Sequence, residues 1–144
     1  MIRRAWIDDA PAVAALFRRS FGELAFLPTL HTPEEDRVFF GAVVEGQEVW
    51  VWDEDGRLMG FAALGDTVLN HLYVEPAEQT RGIGAALLAQ AKLRRDRGFR
   101  LWTFQRNANA RRFYERRGFH VVELTDGSEN EEREPDVLYE WHPE

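Results

Sequence analysis

From Val68 to Phe104 the chain reads as a strand, a helix and a second strand, and this unit constrains the fold more than any other stretch. Val68 to Val74 is an apolar strand stopped by Pro76. Gly82 to Arg97 carries Ile83, Leu87, Leu88 and Ala91 at helical spacing, and Gly98 ends it. Phe99 to Phe104 is again a strand. Such a crossover sets its two strands parallel. Ile2 to Ile7 reads as a strand, and Asp8 or Asp9 caps a helix with Pro11 near its first turn and Val13, Leu16, Phe17 and Phe21 on its apolar face. Thr32, Pro33 and Glu35 have the spacing of a capping box that opens a second helix. Val49 to Trp52 and Leu58 to Leu64 flank the turn Asp53 to Gly56 and predict a hairpin. Asn107 or Asn109 caps a short helix ending at Arg117, and Phe119 to Leu124 and Val137 to Trp141 are the last strands. The predicted order is βααβββαβαββ. It is an α/β (α+β) fold, one domain over residues 1–144, with a mixed, mostly antiparallel sheet of six to seven strands and about four helices.

The sequence has 144 residues, 44% apolar and 30% charged, which suits a packed core and is too apolar for disorder. It has no cysteine, which excludes disulfides, Cys-ligated zinc, iron–sulfur clusters and a cysteine nucleophile. No metal site is expected. No apolar run approaches the ~18 residues of a membrane helix, and the N-terminus lacks a signal core, so the expectation is a cytoplasmic protein without a membrane partner. Net charge is −7, but residues 81–117 hold 11 basic and 2 acidic groups between two acidic flanks. An acidic chain with one basic block is no nucleic-acid binder. Either the middle holds an anion and the flanks a cation, or the arginines pair with acidic neighbours. Trp50, Trp52, Trp102 and Trp141 fall at strand positions, where core packing is the default.

The segment from Leu72 to Leu88 carries the chemistry. A strand enters a helix whose first turn holds Gly82 and Gly84, where free backbone N–H groups and the helix dipole suit a phosphate. A P-loop would need Gly-Lys-Ser/Thr, which is absent. A dinucleotide fingerprint would need Gly or Ala where Leu87 stands. Gln79, Gly82 and Gly84 instead have the Gln-x-x-Gly-x-Gly spacing of a coenzyme A pyrophosphate loop.

With Leu72, Val74, Pro76, Leu87 and Leu88 around that loop, and with Asn107, Phe113, Tyr114, Gly118 and Phe119 downstream, the chain resembles the GNAT (Gcn5-related) N-acetyltransferases. The resemblance implies acetyl-CoA as co-substrate. Its pantetheine arm would lie between the strands at Leu72–Tyr73–Val74 and Leu101–Phe104 and pair with Leu72 and Val74. Backbone N–H groups of Arg81, Gly82, Ile83, Gly84 and Ala85 would hold the pyrophosphate, Asn107 would hydrogen-bond the arm, and Phe113 belongs to the same element. Tyr114 would protonate the leaving thiolate, and the Val74 N–H would donate to the oxyanion. Helix capping by Asn107 and core packing by Tyr114 are the structural alternatives.

Neither strand beside the reaction centre carries a carboxylate. His71 is the first candidate base, against a structural histidine, and Glu75 is the second. A lysine-like amine costs roughly 4.6 kcal/mol to deprotonate at pH 7, an α-amine only about 1.4. The acceptor, a small-molecule or peptide amine, would be held by the first two helices with Glu23, His31, Glu34, Glu35 and Asp36, and by the acidic loop 126–136, which would attract a cation. The stretch from Thr125 to Trp141 looks like that of a bacterial branch of the family. The expected activity is direct transfer in a ternary complex. A non-catalytic acyl-CoA-binding module is the alternative, and the C-terminal strand offers a sheet edge for a homodimer.

Overall fold

The Thr32 capping box forms as its residue types require. The Glu35 N–H donates to Thr32 Oγ1 at 3.1 Å, and the Thr32 N–H donates to Glu35 Oε1 at 2.8 Å. This box opens the second of four α-helices in a computed structural model that describes residues 1–144. The elements are β1 (Ile2–Arg4), α1 (Ala10–Phe21), α2 (Pro33–Gly46), β2 (Glu48–Glu54), β3 (Arg57–Leu64), β4 (Leu69–Val74), α3 (Ile83–Arg94), β5 (Phe99–Phe104), α4 (Ala108–Glu115), β6 (His120–Leu124) and β7 (Asp136–Trp141). Short 3-10 turns at Ile7–Asp9 and Pro76–Glu78 complete the chain. The predicted order of elements is recovered. No helix is long and apolar enough to cross a membrane.

The strands form two antiparallel sheets, β1-β2-β3-β4 and β5-β7-β6, rather than one. The parallel pair expected from the crossover shrinks to a single bridge, Val68 with Arg100, beside an Arg100 N–H bond to the Thr67 carbonyl at 2.9 Å. Beyond it β4 and β5 part, while the other edge of β5 stays paired along its whole length with β7, from Phe99↔Trp141 to Phe104↔Asp136. β7 therefore lies between β5 and β6, and the C-terminal strand is not the sheet edge expected for a homodimer. That edge is β6, exposed along its whole length. Gln105 fixes the return of the chain, since its Nε2 donates to the Thr125 and Asp136 carbonyls at 2.8 and 3.0 Å.

Two apolar cores lie on opposite faces of the four-stranded sheet. One gathers Ile83, Leu87 and Leu88 of α3 with Leu101, Tyr114 and Tyr139. The other gathers Val13 and Leu16 of α1, Phe40 and Val43 of α2, and Val49, Val51 and Phe61 of the sheet. Each fully buried side chain of this size contributes about 1.5–3 kcal/mol. Residues of β4 alternate between the two faces: Leu72 and Val74 pack against the first core, Tyr73 against the second.

Glu48 ties the start of β2 to the end of α3. Its carboxylate accepts from Arg94 Nε at 2.5 Å, Trp50 Nε1 at 2.8 Å and Arg95 Nη1 at 3.1 Å. Burial by itself would raise the carboxyl pKa, but these donors outweigh it and hold the group down at about 2. A carboxyl lowered on folding stabilises above its unfolded pKa, and the contribution fades as pH falls towards 2. The Glu48→Gln variant is expected to be about 1–3 kcal/mol less stable than the parent at neutral pH. Urea unfolding across the acid range should show that difference closing below about pH 4.5.

Candidate active site

The gap between β4 and β5 leaves one backbone edge of β4 free. The Glu75 N–H donates to the Met59 carbonyl at 2.8 Å, so residues of the same parity, Tyr73 and His71, turn their backbone groups towards β3. Leu72 and Val74 turn theirs into the opening. The Val74 carbonyl accepts a bond from Gln79 Nε2 at 3.3 Å, so Gln79 pins the loop to the strand and the Val74 N–H remains the free group.

α3 begins at the mouth of this opening. Gly82, its N-cap, has φ +81°, and a Cβ there would meet open space, so backbone conformation rather than crowding selects glycine. The Ala86 N–H makes the first bond of the helix, to the Gly82 carbonyl at 3.0 Å. The N–H groups of Gly82, Ile83, Gly84 and Ala85 precede that bond and stay free. Arg81 departs from its expected part: its N–H donates to the Glu78 carbonyl at 3.3 Å, and its guanidinium clamps Glu54 and Glu78 at 2.7 and 2.9 Å. The Ile83 side chain is fully buried, so only its backbone faces the loop. Gly84 lies against Phe113, whose ring would be 3.6 Å from an added Cβ.

α4 brings the downstream residues to the same place. Asn107 caps it, its Oδ1 accepting the Ala110 N–H at 3.1 Å, while its Nδ2 has no partner in the chain. Capping thus orients the amide and leaves a donor free. Tyr114 is 8% exposed, with Phe113 and Phe119 rings at 5.1 and 5.4 Å. Burial, with a smaller contribution from Tyr73, pushes its hydroxyl pKa well above the ordinary phenol value. Several arginines of this region pair with acids, in line with the second charge reading: Arg106 with buried Glu134 at 2.7 Å, Arg100 with Glu140, and Arg94 and Arg95 with Glu48, whereas Arg112 bonds Asn109 and Arg117 the Phe113 carbonyl.

On the other face of β4 lies a cavity of about 340 Å³. α1 contributes Phe17 and Phe21, α2 contributes Phe39 and Phe40, and the strands contribute His71, Tyr73, Trp102 and Phe104. Trp102 is 46% exposed here, so it lines the cavity instead of packing in the core. Glu35, Asp36, Glu131 and Glu132 supply carboxylates, and Arg18 the one guanidinium. His31 and Glu131 meet across the top, joining the α1–α2 and β6–β7 connections. Glu23 and Glu34 do not line the cavity.

Neither candidate base keeps its place. His71 makes no hydrogen bond and stands among Phe40 at 5.1 Å, Phe39 at 5.8 Å and Tyr73 at 6.2 Å. Desolvation there lowers its pKa to about 4, so it is neutral at pH 7 and a weak proton acceptor. Glu75 is buried and accepts from Arg19 Nε at 2.9 Å and Arg19 Nη2 at 2.7 Å. That pair fastens α1 to the end of β4. Glu131 and Glu132 of the acidic loop 126–136 do line the cavity, whereas its aromatic walls were not singled out as a site by the sequence. Their one signal is the alternation of β4, which sets His71 and Tyr73 opposite Leu72 and Val74.

Comparison with known proteins agrees with this geometry. The family described as Acetyltransferase (GNAT) domain matches residues 45–121. A peptidyl-lysine N-acetyltransferase, YiaC of Escherichia coli (strain K12), is 30% identical over 98% of this chain and 96% of its own length. YhfO of Bacillus subtilis (strain 168), an uncharacterized N-acetyltransferase, is 31% identical over 82% of this chain and 88% of its own. Among solved structures, a GCN5-related N-acetyltransferase from Rhodopseudomonas palustris superposes with TM-score 0.84 at 23% identity, covering 99% of this chain and 95% of that one. The PaiA N-acetyltransferase of Thermoplasma acidophilum, solved with coenzyme A, superposes with TM-score 0.81 at 22% identity over 99% and 98% of the two chains. The chain belongs to the GNAT family and is an N-acetyltransferase.

An NMR titration of the imidazole ring protons is expected to put the His71 midpoint near 4. A histidine whose pKa falls on folding stabilises fully above its unfolded value of about 6.5 and progressively less below it. Parent and His71→Leu should therefore diverge in their pH–stability curves below that value, the parent losing more.

Proposed function

We propose that the chain transfers an acetyl group from acetyl-CoA to a primary amine by direct attack in a ternary complex, with residues 1–144 acting as one catalytic domain. The observation that carries this reading is the two-sided use of β4. One side offers the free Gly82 to Ala85 N–H groups and the open edge at Leu72 and Val74. The other offers the aromatic and acidic cavity.

The donor side suits a CoA thioester in charge and length. A diphosphate fits the glycine turn, where backbone N–H groups and the helix dipole supply the positive charge. The extended arm then runs along β4, paired as an added strand would be, with Asn107 Nδ2 as a further donor. This lays the thioester near Tyr114 and the Val74 N–H.

The acceptor side suits a cationic amine on an apolar stem. Aromatic rings take the stem, and four carboxylates against one arginine give the negative potential. A lysine side chain has this form, and the E. coli relative is named for peptidyl-lysine. The deprotonated nitrogen attacks the thioester carbonyl, the Val74 N–H stabilises the oxyanion, and the C–S bond breaks as Tyr114 passes its proton to sulfur. Burial keeps the phenol protonated at neutral pH, and its proton moves to sulfur as the thiolate leaves.

Release of free CoA thiol over a panel of lysine-like and α-amines tests this function. The protein has no thiol to interfere. Tyr114→Phe is expected to lower amine-dependent kcat at least ~10-fold, about 1.4 kcal/mol of barrier, and to leave the Kd for coenzyme A unchanged. Tight CoA binding without acetylation of any amine would favour the non-catalytic module.

A further inference from the structure

An ammonium entering the acceptor cavity must lose a proton before its nitrogen attacks. Of the carboxylates lining the cavity, three are already engaged. Glu35 Oε1 accepts the Thr32 N–H at 2.8 Å, Asp36 Oδ2 accepts Arg18 Nη1 at 2.7 Å, and Glu131 meets His31. Glu132 is half-buried, lines this cavity and an adjoining one of about 380 Å³, and is bound by no donor of the chain. Tyr73 lines the same cavity, and the charge of Glu132 adds to the burial that raises the Tyr73 hydroxyl pKa. Glu132 thus shares the acceptor cavity with Tyr73, whose strand carries Leu72 and Val74 on its other face.

The loop that carries Glu132 is built rather than loose. Asn130 Nδ2 donates to the Glu134 carbonyl at 2.7 Å, and the Glu134 N–H returns a bond to Asn130 Oδ1 at 3.2 Å. Gly127, at φ +81°, comes so near Glu134 that an added Cβ would lie 2.4 Å from its carbonyl carbon. Arg106 then anchors the Glu134 side chain at 2.7 Å. The Glu132 carboxylate is held at the cavity wall with its charge unspent.

We propose that Glu132 binds the acceptor ammonium and takes its proton. The inference rests on the acceptor reading given under Proposed function. The nitrogen gives up two protons in the course of the reaction. The first passes to the Glu132 carboxylate and leaves to solvent through the adjoining cavity, whose lining includes Thr103, Thr125 and Asn130. The second is lost after the N–C bond forms and restores the Tyr114 hydroxyl, whose own proton has gone to sulfur as the C–S bond breaks. Amide, free CoA thiol and one released proton are the products.

The test compares Glu132→Gln with Glu123→Gln, on the exposed face of β6 and outside both cavities, using Nα-acetyl-lysine amide and alkylamines of matched size whose basicity is lowered by fluorination. For the lysine derivative, Glu132→Gln should lower kcat/KM about 100-fold, and Glu123→Gln less than about 3-fold. The Glu132→Gln loss should shrink steadily as the amine becomes less basic, a trend a merely structural role does not produce. Unchanged thermal unfolding and coenzyme A affinity would show that the variant is folded. Calorimetric binding of the lysine derivative to the CoA-loaded protein supplies a second readout, which Glu132→Gln should weaken at least about 10-fold. Equal losses in both variants, or a loss independent of amine basicity, would overturn the assignment while the transferase reading stands. Binding that depends on Glu132 without turnover in the parent would overturn the transferase reading and leave the ammonium site. Neither turnover nor binding in the parent overturns both.

Discussion

Everything distinctive in this molecule depends on the parting of β4 from β5 just beyond the Val68–Arg100 bridge. Backbone N–H and C=O groups inside a protein are nearly always paired, and leaving them unpaired costs free energy. Here β4 and β5 make no pair past that bridge, so the groups of Leu72 and Val74 on β4 face an opening instead of a strand. An internal edge of this kind is a site for an extended ligand. α3 starts at one end of it with free N–H groups, and α4 brings Asn107, Phe113 and Tyr114 along its side.

The alternation of β4 then divides the chemistry. Backbone and side chains of Leu72 and Val74 belong to the donor side, and the side chains of His71 and Tyr73 belong to the acceptor side. Burial acts on the titratable groups near the strand in one direction, favouring the neutral form of each: Tyr73 and Tyr114 rise, His71 falls. These three side chains are therefore neutral at pH 7, and the carboxylates Glu35, Asp36, Glu131 and Glu132 line the acceptor cavity beside them. The basic block of the sequence takes little part. Several of its arginines join helices and strands to acids, as Arg94 and Arg95 do at Glu48 and Arg106 does at Glu134.

Much of the fold was legible because its signals are local. The Thr32 box, the Asp55–Gly56 hairpin turn, the glycine at the start of α3 and the Asn107 cap are each decided within a few residues by backbone geometry and hydrogen-bonding capacity. The division into two sheets was not legible. That β7 lies between β5 and β6 depends on where residues more than thirty positions later return, and that return is fixed by Gln105 reaching the Thr125 and Asp136 carbonyls. The aromatic cavity was hidden for a similar reason. Phe17, Phe39 and Trp102 read as core residues, and only the gap between α1, α2 and β5 leaves room beside them.

By itself the sequence determined the order of elements, the phosphate-suited turn at Gly82, the Asn107–Tyr114 spacing and, through these, the family. These are properties of short segments, set by steric and hydrogen-bonding rules that act before the chain folds back on itself. The tertiary structure alone decided which ionisable groups are free to act. His71 lost its claim to desolvation, Glu75 to Arg19, and Arg81 to Glu54 and Glu78, while Glu132 kept an unpaired carboxylate at the cavity wall. Charge pairing and desolvation are set by neighbours brought together from distant parts of the chain, and no spacing along the sequence encodes them.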